Sequence, residues 1–331
     1  GGHATVRGAQ AAGNITLSAS ATGSISQPQL RGMFSTVGAS FVDPESNLRL
    51  NDIAVMGSLD GDRITLRNAS AALASGGRIS ATGSISTNAA QAFPADITIN
   101  LDKARYADGN MLIATVNGVL RLSGSLTRDP MLSGRIDVDR AEITVPESLG
   151  GAAADINVKH IDASRAVEAT LKRAKANDGT PVPTARPSVL RLNIALNAPN
   201  QIFVRGRGLD AELGGSLQLT GPATAIEPVG GFKMIRGRLG ILGQRITFDE
   251  GTVTLVGDLD PFLDFVARSD GNDITVFITV RGRVSALNIS FSSQPQLPED
   301  EVLARLIFKR GINELSPLQI AQLAAAAAEL A

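Results

Sequence analysis

Cysteine and tryptophan are absent from these 331 residues, tyrosine occurs once, and histidine occurs only at His3 and His160. No Cys/His set with metal-ligand spacing can be drawn, which sets aside zinc, haem and thiol chemistry. A serine nucleophile would lack a base. No cofactor and no metal are expected. Freedom from cysteine suits any compartment and mildly favours the bacterial envelope. An excess of one charge is missing as well: 31 Lys+Arg face 32 Asp+Glu, a net charge of -1. Without a basic surface, no nucleic-acid partner is expected. No run approaches the roughly 18–20 apolar residues of a membrane-spanning helix. The opening GGHATVRGAQ lacks the basic and apolar regions of a signal peptide, and the chain reads as a piece of a longer protein whose targeting signals lie outside it. Aromatic residues make up 4%. That scarcity argues against the stacking platforms of a carbohydrate-active enzyme and the aromatic girdles of a transmembrane β-barrel. The chain is read as not an enzyme.

What is present is alternation. In GNITLSASATGSIS (13–26), Ile15, Leu17, Ala19, Ala21, Gly23 and Ile25 fall on one side of an extended chain, and Asn14, Thr16, Ser18 and their successors fall on the other. The letters ATGSIS return at 81–86, and a cell of small or polar residue, glycine, polar residue and aliphatic recurs at uneven spacing to RGRVS at 281. Uneven spacing excludes a fixed-period solenoid of the ankyrin or leucine-rich kind. The expected fold is all-β, with one aliphatic face forming a trough and two short C-terminal helices at its end. Two parts are expected. Residues 1–189 form a repetitive β body with a flexible loop near 167–189, rich in proline and basic residues. Residues 190–331 carry strands to about 297 and helices at about 298–310 and 317–330. Pro298, an acidic first turn and Gly311 as a stop mark the first helix, and Ser316 with Gln319 forms a capping box for the second.

Parity nominates the groove lining: Ile15, Leu17, Ile25, Ile64, Leu66, Ile97, Ile99, Leu192, Ile194, Leu196, Ile246, Phe248, Val253, Leu255, Ile274, Val276, Ile278, Leu287 and Ile289. Beyond Val284 the apolar register passes from even to odd numbers, so a bulge or turn is expected near Ser285 and Ala286. Large aromatic fillers are scarce and glycine or alanine recurs where a dry core needs volume, which suits an incompletely filled trough. Arg-Gly-Arg occurs three times, placing Arg205, Arg207, Arg236, Arg238, Arg281 and Arg283 on the wet side. They are candidate rim or partner contacts. The plainer reading makes them solubilising groups of the outer face, with glycines at bulges or bends.

The stretches QIFVRGRGLDAELGGSLQLTG (201–221), GGFKMIRGRLGILGQRITFDEGTVTLVGDLDPFLDFVARS (230–269) and SSQPQLPEDEVLARLIF (292–308), closed by LSPLQ, resemble the C-terminal domain of the TamB family, within the wider AsmA-like group. The match in order and spacing is strong over 190–331, and before that it is one of pattern. One departure is Lys309 in LIFKRG, where the family usually has glycine. The resemblance implies an elongated, curved, open sheet with an aliphatic groove, a periplasmic β-taco, part of an inner-membrane-anchored protein of the translocation and assembly module, with its anchor outside this sequence. It implies a TamA-like outer-membrane insertase as partner. The implied cargo is unfolded outer-membrane β-barrel or autotransporter polypeptides, phospholipids, or both. The alternative class is a structural β-solenoid such as an adhesin or autotransporter passenger.

Overall fold

The computed structural model describes residues 2–6, 9–24, 27–44, 46–145, 189–206, 208–241, 244–271 and 273–330. Ile25, Arg207, His160 and all but the last residue of the expected 167–189 loop lie outside them. Alternating β-branched and small residues build seventeen strands among the described residues: β1 (Gly2–Val6), β2 (Ala9–Gly13), β3 (Ile15–Ser24), β4 (Gln27–Asp43), β5 (Leu48–Asp60), β6 (Arg63–Leu73), β7 (Arg78–Ser86), β8 (Pro94–Ala107), β9 (Leu112–Ser125), β10 (Met131–Thr144), β11 (Arg191–Gly206), β12 (Leu209–Pro222), β13 (Glu227–Ile241), β14 (Gln244–Val256), β15 (Phe262–Asp270), β16 (Thr275–Arg283) and β17 (Ala286–Gln294). Two helices follow, α1 (Glu299–Phe308) and α2 (Pro317–Leu330).

Apart from β2 and β3, each strand pairs with the next in sequence, and most of the sheet is an antiparallel meander. β2 and β3 lie end to end along β4, which makes the sheet sixteen positions wide. At about 4.8 Å per position its two edges are roughly 70 Å apart along the surface. The described ladders run from β1 to β17 and leave the sheet open and elongated. Among the described registers the exception to antiparallel pairing is β10 with β11, which run parallel, Met131 opposite Arg191 and Ile143 opposite Val204. The sheet therefore crosses residue 189 without a break. Among the described residues these ladders form no stacked coils.

Interruptions in register fall within many of the strands: between Thr36 and Ala39 in β4, Asn51 and Ala54 in β5, Leu66 and Ala69 in β6, Leu101 and Ala104 in β8, Val138 and Arg140 in β10, Ala198 and Ile202 in β11, and Phe248 and Glu250 in β14. A bulge bends its strand and increases its twist. Repeated from strand to strand, the bulges form a crease that curves the sheet into a trough. Several bulge residues hold left-handed backbone, Gly38, Asp52, Lys103 and Gln201 among them. Outer-face side chains meet backbone groups there. The Lys103 amide donates to Asn117 Oδ1 (2.8 Å), and Asn117 in turn donates to Asp139 (2.7 Å). The Gln201 amide donates to Glu212 (3.3 Å), which also accepts from Arg236 (2.7 Å).

The expected change of parity after Val284 is a two-residue hairpin turn at Val284–Ser285, with Arg283 opposite Ala286. The expected stop at Gly311 is corrected. Helix α1 ends at Phe308, and Lys309 itself takes the left-handed capping position (φ 57°), its amide donating to the Arg305 carbonyl (3.1 Å). The Ser316/Gln319 capping box forms as expected: the Ser316 amide donates to Gln319 Oε1 (2.9 Å) and the Gln319 amide to Ser316 Oγ (3.4 Å).

Candidate cargo groove

The registers place the described nominated residues, Ile274 apart, on one face. Leu17 lies opposite Phe34, Ile64 opposite Leu59 and Ile85, and Leu66 between Gly57 and Gly83. Ile97 and Ile99 oppose Leu122 and Leu120. Leu192, Ile194 and Leu196 stand between Leu132, Gly134 and Ile136 on β10 and Gly221, Leu219 and Leu217 on β12. Across the last strands, Phe248, Ala267, Ile278 and Phe291 form one row, while Val253, Leu263, Gly282 and Leu287 form another. Ile246 opposes Leu239, Leu255 opposes Gly230, Val276 opposes Ser293 and Ile289 opposes Val280. Ile274 stands just ahead of β16 and is buried in the core.

This face is not uniform. At its first edge Ile15 is 76% exposed and Leu17 60%, while Ile64, Leu66, Ile97 and Ile99 are half-buried. Among the described residues before Ala141, the buried hydrophobic side chains are four alanines and Leu120. Large aliphatics line this half without packing it shut. The far half is filled. Ile246 and Ile278 are almost wholly buried, and with Phe248, Phe265, Ala267, Val276 and Phe291 they form a cluster that includes Val302, Leu303, Ala304 and Leu306 of α1. The sequence nominations thus comprise an open stretch on the early strands and a largely closed one on the late strands, where Leu287 stays 37% exposed and Val253 and Ile289 are half-buried. Parity alone missed Phe34, Leu132, Leu213, Phe265 and the whole α1 contribution. The helix periodicity of α1 was visible in the sequence, but its docking site was not.

Two glycine sites show how a surface of aliphatics and few aromatics still packs. A methyl on Gly251 would overlap the ring of Phe265, and one on Gly57 would overlap the ring of Phe34. Phe248 and Phe265 meet edge to face at 5.6 Å.

The described arginines of the Arg-Gly-Arg cells lie on the outer face in ion pairs with neighbouring carboxylates: Arg205 and Arg238 with Asp210 (3.2 and 2.7 Å), Arg236 with Glu212 (2.7 Å), Arg281 with Asp264 (2.6 Å) and Arg283 with Asp258 (2.9 Å). Arg140 and Arg205 also stack on Phe203, 4.6 and 5.1 Å from its centroid. Arg238, and after it Arg205, hold the Asp210 carboxyl below its ordinary value, and Arg236 with the Gln201 amide does the same for Glu212. Side by side, these pairs leave the outside charged and the inside apolar. Among the described residues no group of His, Asp and Glu is arranged to hold a metal ion, and no helix is long and apolar enough to cross a membrane.

An apolar trough open along its early strands, walled by small residues and charged outside, is suited to hold extended apolar matter without directional recognition. No curated protein matches the chain. A family model described as TamB C-terminal domain matches residues 67–331, from within β6 to the last residue. With most of its length matched in this way, the chain belongs to the TamB C-terminal domain family.

Proposed function

We propose that the chain is a periplasmic conduit or chaperone surface that shields apolar cargo in its groove between the inner and outer membranes. Family membership supports a part in outer-membrane assembly or lipid transport, as a non-enzymatic module of the envelope. The cargo in this reading is unfolded β-barrel or autotransporter polypeptide, phospholipid, or both. The receiving partner is a TamA-like insertase, and an anchor elsewhere in the protein holds it at the inner membrane. The observation that carries the reading is the lining left uncovered on the early strands, with Leu17 60% exposed at its edge. A solvated aliphatic row gains roughly 25 cal/mol for each Å² a guest covers. A smooth row of similar side chains lets the guest slide. Photoreactive residues at Leu17, Leu66 and Ile97 test this in cells. Adducts to lipid or to barrel polypeptides are expected, and adducts confined to the chain itself would defeat the reading.

A further inference from the structure

The closed end of the groove is filled by the chain's own helix. Val302, Leu303, Ala304 and Leu306 of α1 are buried in the cluster that holds Ile278 and Phe291, while Glu299, Asp300, Glu301 and Arg305 stay out of it. We propose that α1 is a built-in stopper: an intramolecular guest that occupies the β14–β17 end of the groove and must leave before an outside guest can reach that end. This rests on the groove being a guest site and concerns its regulation.

The way α1 is held differs from the way the strands are held. Strands are fixed by continuous backbone ladders, whereas α1 is fixed by side-chain packing and by local bonds in the segments that lead into and out of it. At its start, Ser293 Oγ donates to the Pro295 carbonyl (2.8 Å) and accepts from the Leu297 amide (3.1 Å). Beyond its end, the Glu301 carboxylate accepts from the Ile312 amide (2.8 Å) and from Arg305 (2.7 Å). Its last turn is closed by Lys309 in a backbone conformation that favours glycine. Undocking α1 therefore breaks no strand pairing and leaves the sheet whole. It would uncover the β17 side of the cluster at Phe291, whose row runs on through Ile278 to Phe248 and continues the face that is already open on the early strands.

Because the chain has no cysteine, single thiols report local access. Ile278→Cys should react with a maleimide at least about tenfold more slowly than Leu17→Cys. Adding Leu306→Asp should raise the rate at Ile278→Cys at least about tenfold and leave Leu17→Cys unchanged. Should Leu306→Asp cost the chain its strand circular dichroism, Glu301→Gln loosens the local bonds alone, and a rise of about two- to threefold is expected. Equal rates at the two thiols in the parent, or no rise with an intact sheet in either variant, overturns the stopper. A short-chain phosphatidylcholine added to the same reactions separates the two readings. Protection of Leu17→Cys alone in the parent, and of both thiols once α1 is displaced, supports the stopper. Protection of both in the parent overturns it. Protection of neither defeats the guest site, while the labelling rates without lipid still decide the stopper.

Discussion

At the scale of single residues, the late strands work by matching glycines to rings. Gly251 stands opposite Phe265 in register, and the ring lies over the glycine where a side chain would otherwise be. Gly251→Ala should destabilise the chain by about 1–3 kcal/mol through overpacking, measured by urea denaturation. Combining it with Phe265→Leu should recover part of the loss, because the smaller side chain vacates the space; no recovery would mean the glycine serves backbone conformation instead. Charge acts at this scale too. The Ile312 amide, and after it Arg305, hold Glu301 below the ordinary carboxylate value, as Arg238 does Asp210 and Arg236 does Glu212. Carboxyls depressed in the folded state stabilise it above their unfolded values and lose that contribution as pH falls through the folded ones. Unfolding midpoints should therefore be flat near neutrality and fall below about pH 4. In Glu301→Gln the acid slope should be shallower than in the parent, and an identical slope would show that this carboxyl does not contribute.

At the scale of elements, the helix ends and the crease carry the local cost of the fold. Lys309 caps α1 with φ 57°, and a residue with a side chain costs about 1 kcal/mol there relative to glycine. Lys309→Gly should raise stability by about that much and slow exchange of the α1 amides, whereas a loss of stability would show that the lysine side chain has a role of its own. In β8 and β9, Asn117 stands in for the missing ladder partner of Lys103. Asn117→Ala should cost about 1 kcal/mol, and hydrogen exchange should accelerate at Lys103 first. Much of this architecture was legible in the sequence. Alternation identified the inner face from Ile15 to Ile289, and the switch from even Ile246 and Phe248 to odd Val253 and Leu255 already contained the β14 bulge. Other features were not legible. A bulge at Leu66 or Leu101 leaves no distinctive letter behind: Arg67 and Asn68 of the first hold no left-handed backbone, and in the second that conformation falls on Lys103, a residue type with no preference for it. The cap at Lys309 was hidden for the same reason, as Gly311 offered the more obvious stop. The filling of the late groove by α1 depends on how a helix folds back over β17, which strand parity does not encode.

At the scale of the whole molecule, one continuous apolar face does two kinds of work. On the late strands it is a core: Ile278 is fully buried, joined to α1, and worth about 1.5–3 kcal/mol by its burial alone. On the early strands it is a surface, since Leu17 and its neighbours meet solvent in the absence of a guest. A charge placed on the face should therefore have opposite consequences at the two ends. Ile278→Asp buries an unpaired carboxylate, a penalty of several kcal/mol that is a large share of the roughly 5–15 kcal/mol by which a domain is stable. It should unfold the β14–α1 end and reveal nothing about cargo. Leu17→Asp changes a side chain that water already reaches, so its effect on the unfolding midpoint should be within about 0.5 kcal/mol. What it interrupts is the greasy path along which a guest would lie. Cells carrying Leu17→Asp should fold the protein normally and yet show weakened outer-membrane integrity, with fewer lipid or barrel-polypeptide adducts at Leu66 than the parent. Normal envelope integrity and undiminished adducts, with the variant protein present at parental levels, would mean that the open half of the trough does not carry cargo.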